Sequence, residues 1–298
     1  MVLSSLHILL TFQCIFECEH CFVWGSPTQQ GTMSLAQIRQ VLDQARQTGT
    51  IKKIFFEGGE PFLYYPLLLG GVQAAAALGF KVGLVTNAYW ANSPEDAVEF
   101  LRPFRQLIED LTISSDLYHY SELMSRQAKN ATSAAQELNI PIDMICVAQP
   151  TEEATSSHGQ LTDQAAVMYR GRAACKLVAH AQLGAWEQFT ECPHEDLREP
   201  GRAHLDPLGN LHICQGISLG NVFEAPFQQI CQKYAPEAHP ICGALLEGGP
   251  VALVQEYNLP HAEAYADACH LCYEARLSLR QRFPDILKPD QMYGGESR

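Results

Sequence analysis

Positive charge is scarce in this sequence. Lys and Arg number 20 against 33 Asp and Glu, for a formal charge of −13. Such a chain repels a phosphate backbone, which excludes nucleic acid as a general partner. Long apolar runs are also missing: none reaches the roughly 18 residues that span a bilayer, so no membrane partner is expected. The longest candidate, Leu67 to Phe80, carries three glycines and a glutamine. No Lys or Arg precedes Arg39, so the apolar start lacks the basic flank of a secretory signal. Leu6 to Phe12 reads instead as a buried first strand, and a cytoplasmic location is expected. Internal repeats and low-complexity tracts are absent.

What is present is ordinary globular composition, 47% hydrophobic and 18% charged with 21 Gly and 17 Pro. Disorder, collagen-like sequence and disulfide miniproteins are thereby excluded. The 298 residues allow one large domain, or one of about 200 residues with an annex. Eleven cysteines, an odd number, point to metal or cluster ligation rather than a disulfide framework.

From Leu6 to about Val147, short apolar runs alternate with amphipathic helices. Ser34 and Gln37 form a capping-box pair, Leu35, Ile38, Val41, Leu42 and Ala45 share one face, and Gly49 closes the helix. Strands are expected at Lys53–Phe56, Lys81–Thr86, Asp110–Ser114 and Ile142–Val147. Helices are expected from Ser93-Pro94 and over Ser121–Leu138, and a sixth strand at Ala166–Arg170. This alternation means right-handed βαβ units and a parallel sheet, open or barrel-like, with its chemistry at the carboxyl ends of the strands. After about residue 150 the period changes. Ala203 to Cys214 reads as a β-hairpin and His261 to Phe283 as a final helix, giving expected domains of 1–180 and 181–298.

Cys14, Cys18 and Cys21 form a C-x3-C-x2-C cluster directly after the first strand. Three thiolates can hold three irons of a cubane and leave the fourth open. A zinc site would want a fourth ligand, which His20 could supply. The second strand runs into Gly58-Gly59-Glu60-Pro61, where glycine permits close approach and Glu60 can accept from a cationic amine.

On these residues, and on Cys-Glu-His-Cys-Phe at 18–22, the sequence resembles the radical S-adenosylmethionine (SAM) superfamily. The resemblance implies a partial (β/α)6 TIM-like barrel, in fold class α/β. By that likeness Cys14, Cys18 and Cys21 bind a [4Fe–4S] cluster whose open iron takes SAM. Gly58, Gly59 and Glu60 would contact the methionyl amine, and Ser114 or Ser115 with Asp116 the ribose. Asn87 would line the pocket, and Arg126 resembles the arginine that pairs with the SAM carboxylate in some members. The reaction implied is reductive cleavage of SAM to a 5′-deoxyadenosyl radical that abstracts hydrogen. It would draw on an electron donor such as flavodoxin or ferredoxin.

Cys192, Cys214, Cys269 and Cys272 form a second set: an upstream loop cysteine, a hairpin cysteine and a helical C-x2-C. They can converge on an auxiliary [4Fe–4S] cluster or on zinc. Gly171-Arg172-Ala173 and Leu219-Gly220-Asn221 add likeness to SPASM and twitch extensions, here a small α+β hairpin-plus-helix domain. The positions where a full SPASM pattern places two further cysteines hold Ser278 and Arg282, so one cluster is expected. Cys231 and Cys242 remain as spares, and Cys146 and Cys175 read as core. Four thiolates leave no vacant iron, so this cluster should move electrons and favour oxidation or cross-linking of the substrate.

No catalytic acid or base is assigned. His119, His158, His194 and His204, with Tyr118 and Tyr120, read as structural groups, Asp206 as a turn residue and Trp24 as a cover over the first loop. With the first cluster starting at Cys14, a peptide-binding module ahead of it is not expected, which tilts the reading toward a small-molecule dehydrogenase. A maturase of a ribosomally made peptide is the alternative, and a non-enzymatic iron–sulfur or zinc protein the second.

Overall fold

The computed structural model describes residues 1–150 and 164–295; the expected role of His158 lies outside them. In the first half, β1 (Leu3–Thr11), α1 (Leu35–Thr48), β2 (Lys53–Gly58), α2 (Tyr65–Ala77) and β3 (Lys81–Thr86) alternate. They are followed by α3 (Pro94–Leu101), β4 (Asp110–Ser114), α4 (Arg126–Glu137), β5 (Ile142–Val147) and β6 (Gln164–Ala165). Strands β1 to β6 pair in sequence order and every pair is parallel. Because each new strand adds beside the last, the helices stay on one side, the arrangement of an opened barrel rather than a doubly wound sheet.

Helix α1 forms as its sequence dictates. The Ser34 hydroxyl accepts from Gln37 N–H, the Gln37 side chain accepts from Ser34 N–H at 2.8 Å, and Gly49 ends the helix at φ 71°. Ile38, Val41, Leu42 and Ala45 are buried. Each larger side chain contributes roughly 1.5–3 kcal/mol of apolar burial. They meet Leu6, Ile8, Ile54 and Phe56 from one sheet face.

The second half contains α5 (Ala173–Lys176), β7 (Gly184–Ala185), β8 (Gly201–Leu205), β9 (Asn210–Cys214) and β10 (Ile217–Asn221). Then come α6 (Phe227–Lys233), α7 (Cys242–Tyr257), β11 (Ala264–Tyr265) and α8 (Ala268–Leu279). Strand β8 lies parallel to β1, so a nine-stranded sheet runs β10-β9-β8-β1-β2-β3-β4-β5-β6 across residue 180. Leu9 of β1 and Phe12 just beyond it pack on the other sheet face with Ile213, Leu245, Val254 and Leu271. The second half therefore covers the face that the first-half helices leave free.

Four expectations are corrected. Helix α4 begins at Arg126, not Ser121, because Ser125 caps it and its N–H is held by the Ser115 hydroxyl. The sixth strand is Gln164–Ala165, paired with Cys146 and Val147; the chain then leaves the sheet, and Tyr169 N–H donates to Asp267. The last helix starts at Ala268, since Asp267 caps it and residues 264–265 pair with β7. Cys175 is exposed, not core.

Candidate metal centres

The first loop leaves β1 and brings Cys14, Cys18 and Cys21 together under buried N–H donors. Phe16 N–H donates to Cys14 Sγ at 3.4 Å, Gly25 N–H to Cys21 Sγ at 3.2 Å, and Asn87 Nδ2 to Cys14 Sγ at 3.6 Å. Burial pushes the Cys14 thiol up to about 12 and raises Cys18 as well, with the neighbouring cysteines adding to both. Thiolates here need a compensating cation, which a metal or cluster supplies as the protons leave. A tetrahedral zinc site places its sulfurs about 3.8 Å apart. Among the described residues, the donor groups that close to within 4.8 Å are His7–Glu57–His204, His20–Asp116–His119 and His194–Asp267–Cys269, not these thiols. His20 Nε2 lies 3.2 Å from Asp116 Oδ2 and does not complete a zinc set. The donors fit a wider, thiolate-held group better than a closed zinc ion.

The strand ends around this loop are built on internal contacts. Gly58 has φ 140°, and a Cβ there would sit 2.4 Å from Thr11 O; at Gly59 it would sit 2.1 Å from Gln13 O. The two glycines thus let β1 and β2 cross closely, with Gly59 N–H donating to Thr11 O and Glu60 N–H to Gln13 O. Glu60 is buried and accepts from Phe62 N–H, the Thr86 hydroxyl and Asn87 N–H, at 3.0, 2.9 and 2.8 Å. Burial pushes its carboxyl up to about 7 against those bonds. Ser115 and Asp116 are fully buried. Asp116 accepts from Tyr118 N–H, Val147 N–H, His119 Nδ1 and His20 Nε2. Burial alone would raise its carboxyl, but His119 and His20 hold it well below the usual range. Arg126 is exposed at the start of α4.

The sequence model of the Radical SAM superfamily matches residues 8–151. These residues are a radical SAM domain. YydG of Bacillus subtilis (strain 168), a candidate peptide biosynthesis protein, is 23% identical over 259 residues, covering 86% of this chain and 74% of its own. An S-adenosylmethionine-dependent nucleotide dehydratase of Fibrobacter sp. (strain UWH6) is 21% identical over 149 residues, 47% of this chain and 43% of that protein. SuiB of Streptococcus suis bound to precursor peptide SuiA superposes with a TM-score of 0.46 at 13% identity, over 90% of this chain and 76% of that one. The open parallel sheet β1 to β6 is a partial TIM-like barrel, and the matched residues span the end of β1 and all of β2 to β5.

Sequence reasoning quoted Arg172 within a motif but missed that it holds the first cysteine loop in place. Arg172 is buried, and its guanidinium donates to Cys18 O and Gly25 O, both at 2.8 Å, while lying over the Trp24 ring. Its only signal in the sequence was an arginine between Gly171 and Ala173. Trp24 lies under the Arg172 guanidinium, and its indole N–H donates to Tyr273 Oη.

Outside the radical SAM domain, Cys192, Cys214, Cys269 and Cys272 line one cavity enclosing about 450 Å³ of empty space, its open mouth included. Cys214 ends β9, and Cys269 and Cys272 sit three apart on one face of α8. Arg170 Nη1 donates to Cys214 Sγ at 3.6 Å and to Glu195 at 3.3 Å. Arg276 is buried beside the same sulfurs and donates to Gln215 O. Burial pushes Cys272 up to about 11 and raises Cys192 and Cys269. Two buried guanidiniums against four thiols fit an anionic cluster. Of the spares, Cys242 is buried near this set, and Cys231 lies away from it beside the Met1 amine.

Three further polar residues, Asp206, Tyr118 and Tyr120, have structural partners. Asp206 accepts from Leu208 N–H, Asn210 N–H and His212 Nε2, as a turn residue does. Tyr118 donates to Ala148 O and Tyr120 to Asn87 O.

Proposed function

We propose that this radical SAM enzyme modifies a peptide, using an auxiliary [4Fe–4S] cluster held by Cys192, Cys214, Cys269 and Cys272. The observation that carries the reading is the convergence of those four thiols, 80 positions apart in sequence at their extremes, on one cavity flanked by Arg170 and Arg276. The peptide class is supported by similarity to YydG over 86% of the chain, a span that must include much of the second half. Cys14, Cys18 and Cys21 would hold the SAM-binding cluster, with Gly58, Gly59, Glu60, Asn87, Ser115, Asp116 and Arg126 around the nucleotide. When bound, cluster and SAM supply a radical able to take hydrogen from an unactivated carbon.

The chain's own part is positioning. Glu60 ties the ends of β2 and β3 together through Phe62, Thr86 and Asn87. Arg172, bonded to Cys18 O and Gly25 O and stacked on Trp24, holds the loop that presents the thiolates. Four thiolates at the second site leave no open metal position, so its residues would hold an electron acceptor rather than bind substrate.

The test is incubation of the reduced, reconstituted protein and SAM with short peptides encoded beside its gene. A peptide that loses two hydrogens supports the reading. The small-molecule reading keeps support from the nucleotide dehydratase relative. It predicts SAM cleavage coupled to a free nucleotide or alcohol and to no peptide.

A further inference from the structure

We propose that His7, Glu57 and His204 form a site for one divalent first-row cation on the inner sheet face, open to an oxygen donor of the substrate. The three residues sit on the adjacent strands β1, β2 and β8, with His7 and His204 in direct register. Side chains alternate along a strand. Leu6, Ile8, Phe56 and Leu205 face the helix layer, so the His–Glu–His set faces the other way.

The contacts are long for an ion pair, and each ring stands beside a different oxygen of Glu57. His7 Nδ1 lies 3.4 Å from Glu57 Oε2, and His204 Nε2 lies 3.3 Å from Glu57 Oε1. Charge-assisted hydrogen bonds close to about 2.7–2.9 Å. The edge of a tetrahedron with metal–ligand bonds of about 2.0–2.1 Å is about 3.3 Å. Glu57 Oε1 is buried, with His204 Nε2 beside it at 3.3 Å in place of a short hydrogen bond. All three donor atoms lie within 4.8 Å of one another. Two imidazoles and one carboxylate leave at least one position open, the pattern of a catalytic rather than a structural metal.

The surroundings hold the rings in place. Phe55 stacks on His7 at 4.6 Å and 15°, and Gly83 makes room for it, since a Cβ there would sit 2.3 Å from the Phe55 ring. Phe22 meets His204 edge-on at 6.3 Å. Phe22 follows Cys21, and Arg170 lies over its ring while donating to Cys214 Sγ. The site therefore stands between the two thiol sets. Its side chains keep 16%, 14% and 10% exposure, so an ion can reach them. A Lewis acid there would anchor a carboxylate or carbonyl of the substrate. This inference does not rest on the auxiliary cluster.

The test loads the anaerobically reconstituted holoprotein with Zn²⁺ and reads the zinc environment by X-ray absorption. One zinc per chain with a nitrogen/oxygen shell at about 2.0–2.1 Å supports the site. Binding should weaken at least tenfold in Glu57→Gln and in His204→Ala with iron content unchanged. A sulfur shell at about 2.3 Å, no retained zinc, or unaltered binding in both variants overturns it. Should either variant lose its iron, the wild-type zinc shell alone decides.

Discussion

Trp24 Nε1 donates to Tyr273 Oη at 3.3 Å, which ties the loop of the first three cysteines to the helix that carries Cys272. The Gln291 amide adds to the tie by donating to Val23 O and Trp24 O. The two thiol sets are thus mechanically coupled, and the first loop is braced by the second half of the chain.

Arg172 is the central brace. Arg172→Gln leaves Cys18 O and Gly25 O without their 2.8 Å partners in a buried setting. Stability should fall by about 3 kcal/mol. Iron at the first centre should fall while the second keeps its own. Thermal melting and iron analysis check this, and an unchanged melt contradicts it.

Gly59→Ala should cost roughly 3 kcal/mol or more, because the new Cβ meets backbone carbonyls at 2.1 and 2.7 Å. Gly70→Ala, whose Cβ meets only the flexible end of Leu35 at 3.2 Å, should stay within about 1 kcal/mol of the parent. Chemical denaturation of the two variants side by side makes the comparison. Equal costs would mean that β1 and β2 do not cross as closely as described.

The second centre predicts the behaviour of the Cys14/Cys18/Cys21→Ala triple variant. It should keep the iron of about one cubane, with an EPR signal that SAM does not change. An iron-free variant would remove the auxiliary cluster from the account.

A pH effect follows from His239, whose Nδ1 accepts from Ile241 N–H and Cys242 N–H at the start of α7. Burial pushes its pKa down from 6.5 to about 4. Between those values the unfolded chain takes the proton and the folded one does not. The contribution of His239 to stability is therefore complete above about pH 6.5 and lost as the pH falls toward 4. His239→Asn should flatten that part of the stability–pH curve, and an unchanged slope would contradict the assignment.

Much of this was legible in the sequence, for physical reasons. Strands β3, β4 and β5 begin and end where their apolar runs do, and the Ser34–Gln37 pair marks α1 to the residue, because local chemistry decides those boundaries. The four cysteines that line one cavity of the second half could be picked out by residue type alone. Arg172 could not, because its partners are carbonyls of residues 18 and 25 and only the tertiary fold brings them together. Glu60 also ties together three groups of its own chain, Phe62 N–H, the Thr86 hydroxyl and Asn87 N–H, a use that no spacing reveals. A signal for the inner site did exist: His7, Glu57 and His204 interrupt strands whose neighbours Leu6, Ile8, Phe56, Ala203 and Leu205 are fully or almost fully buried. A polar residue inside a parallel strand is unusual enough to mark an inner face.

The most direct test of the account is product analysis after anaerobic reconstitution, reduction and addition of SAM. The account predicts 5′-deoxyadenosine from the parent protein and none from the Cys14/Cys18/Cys21→Ala variant. A reconstituted, reduced parent that leaves SAM intact, or a triple variant that still cleaves it, would contradict the assignment of the first loop.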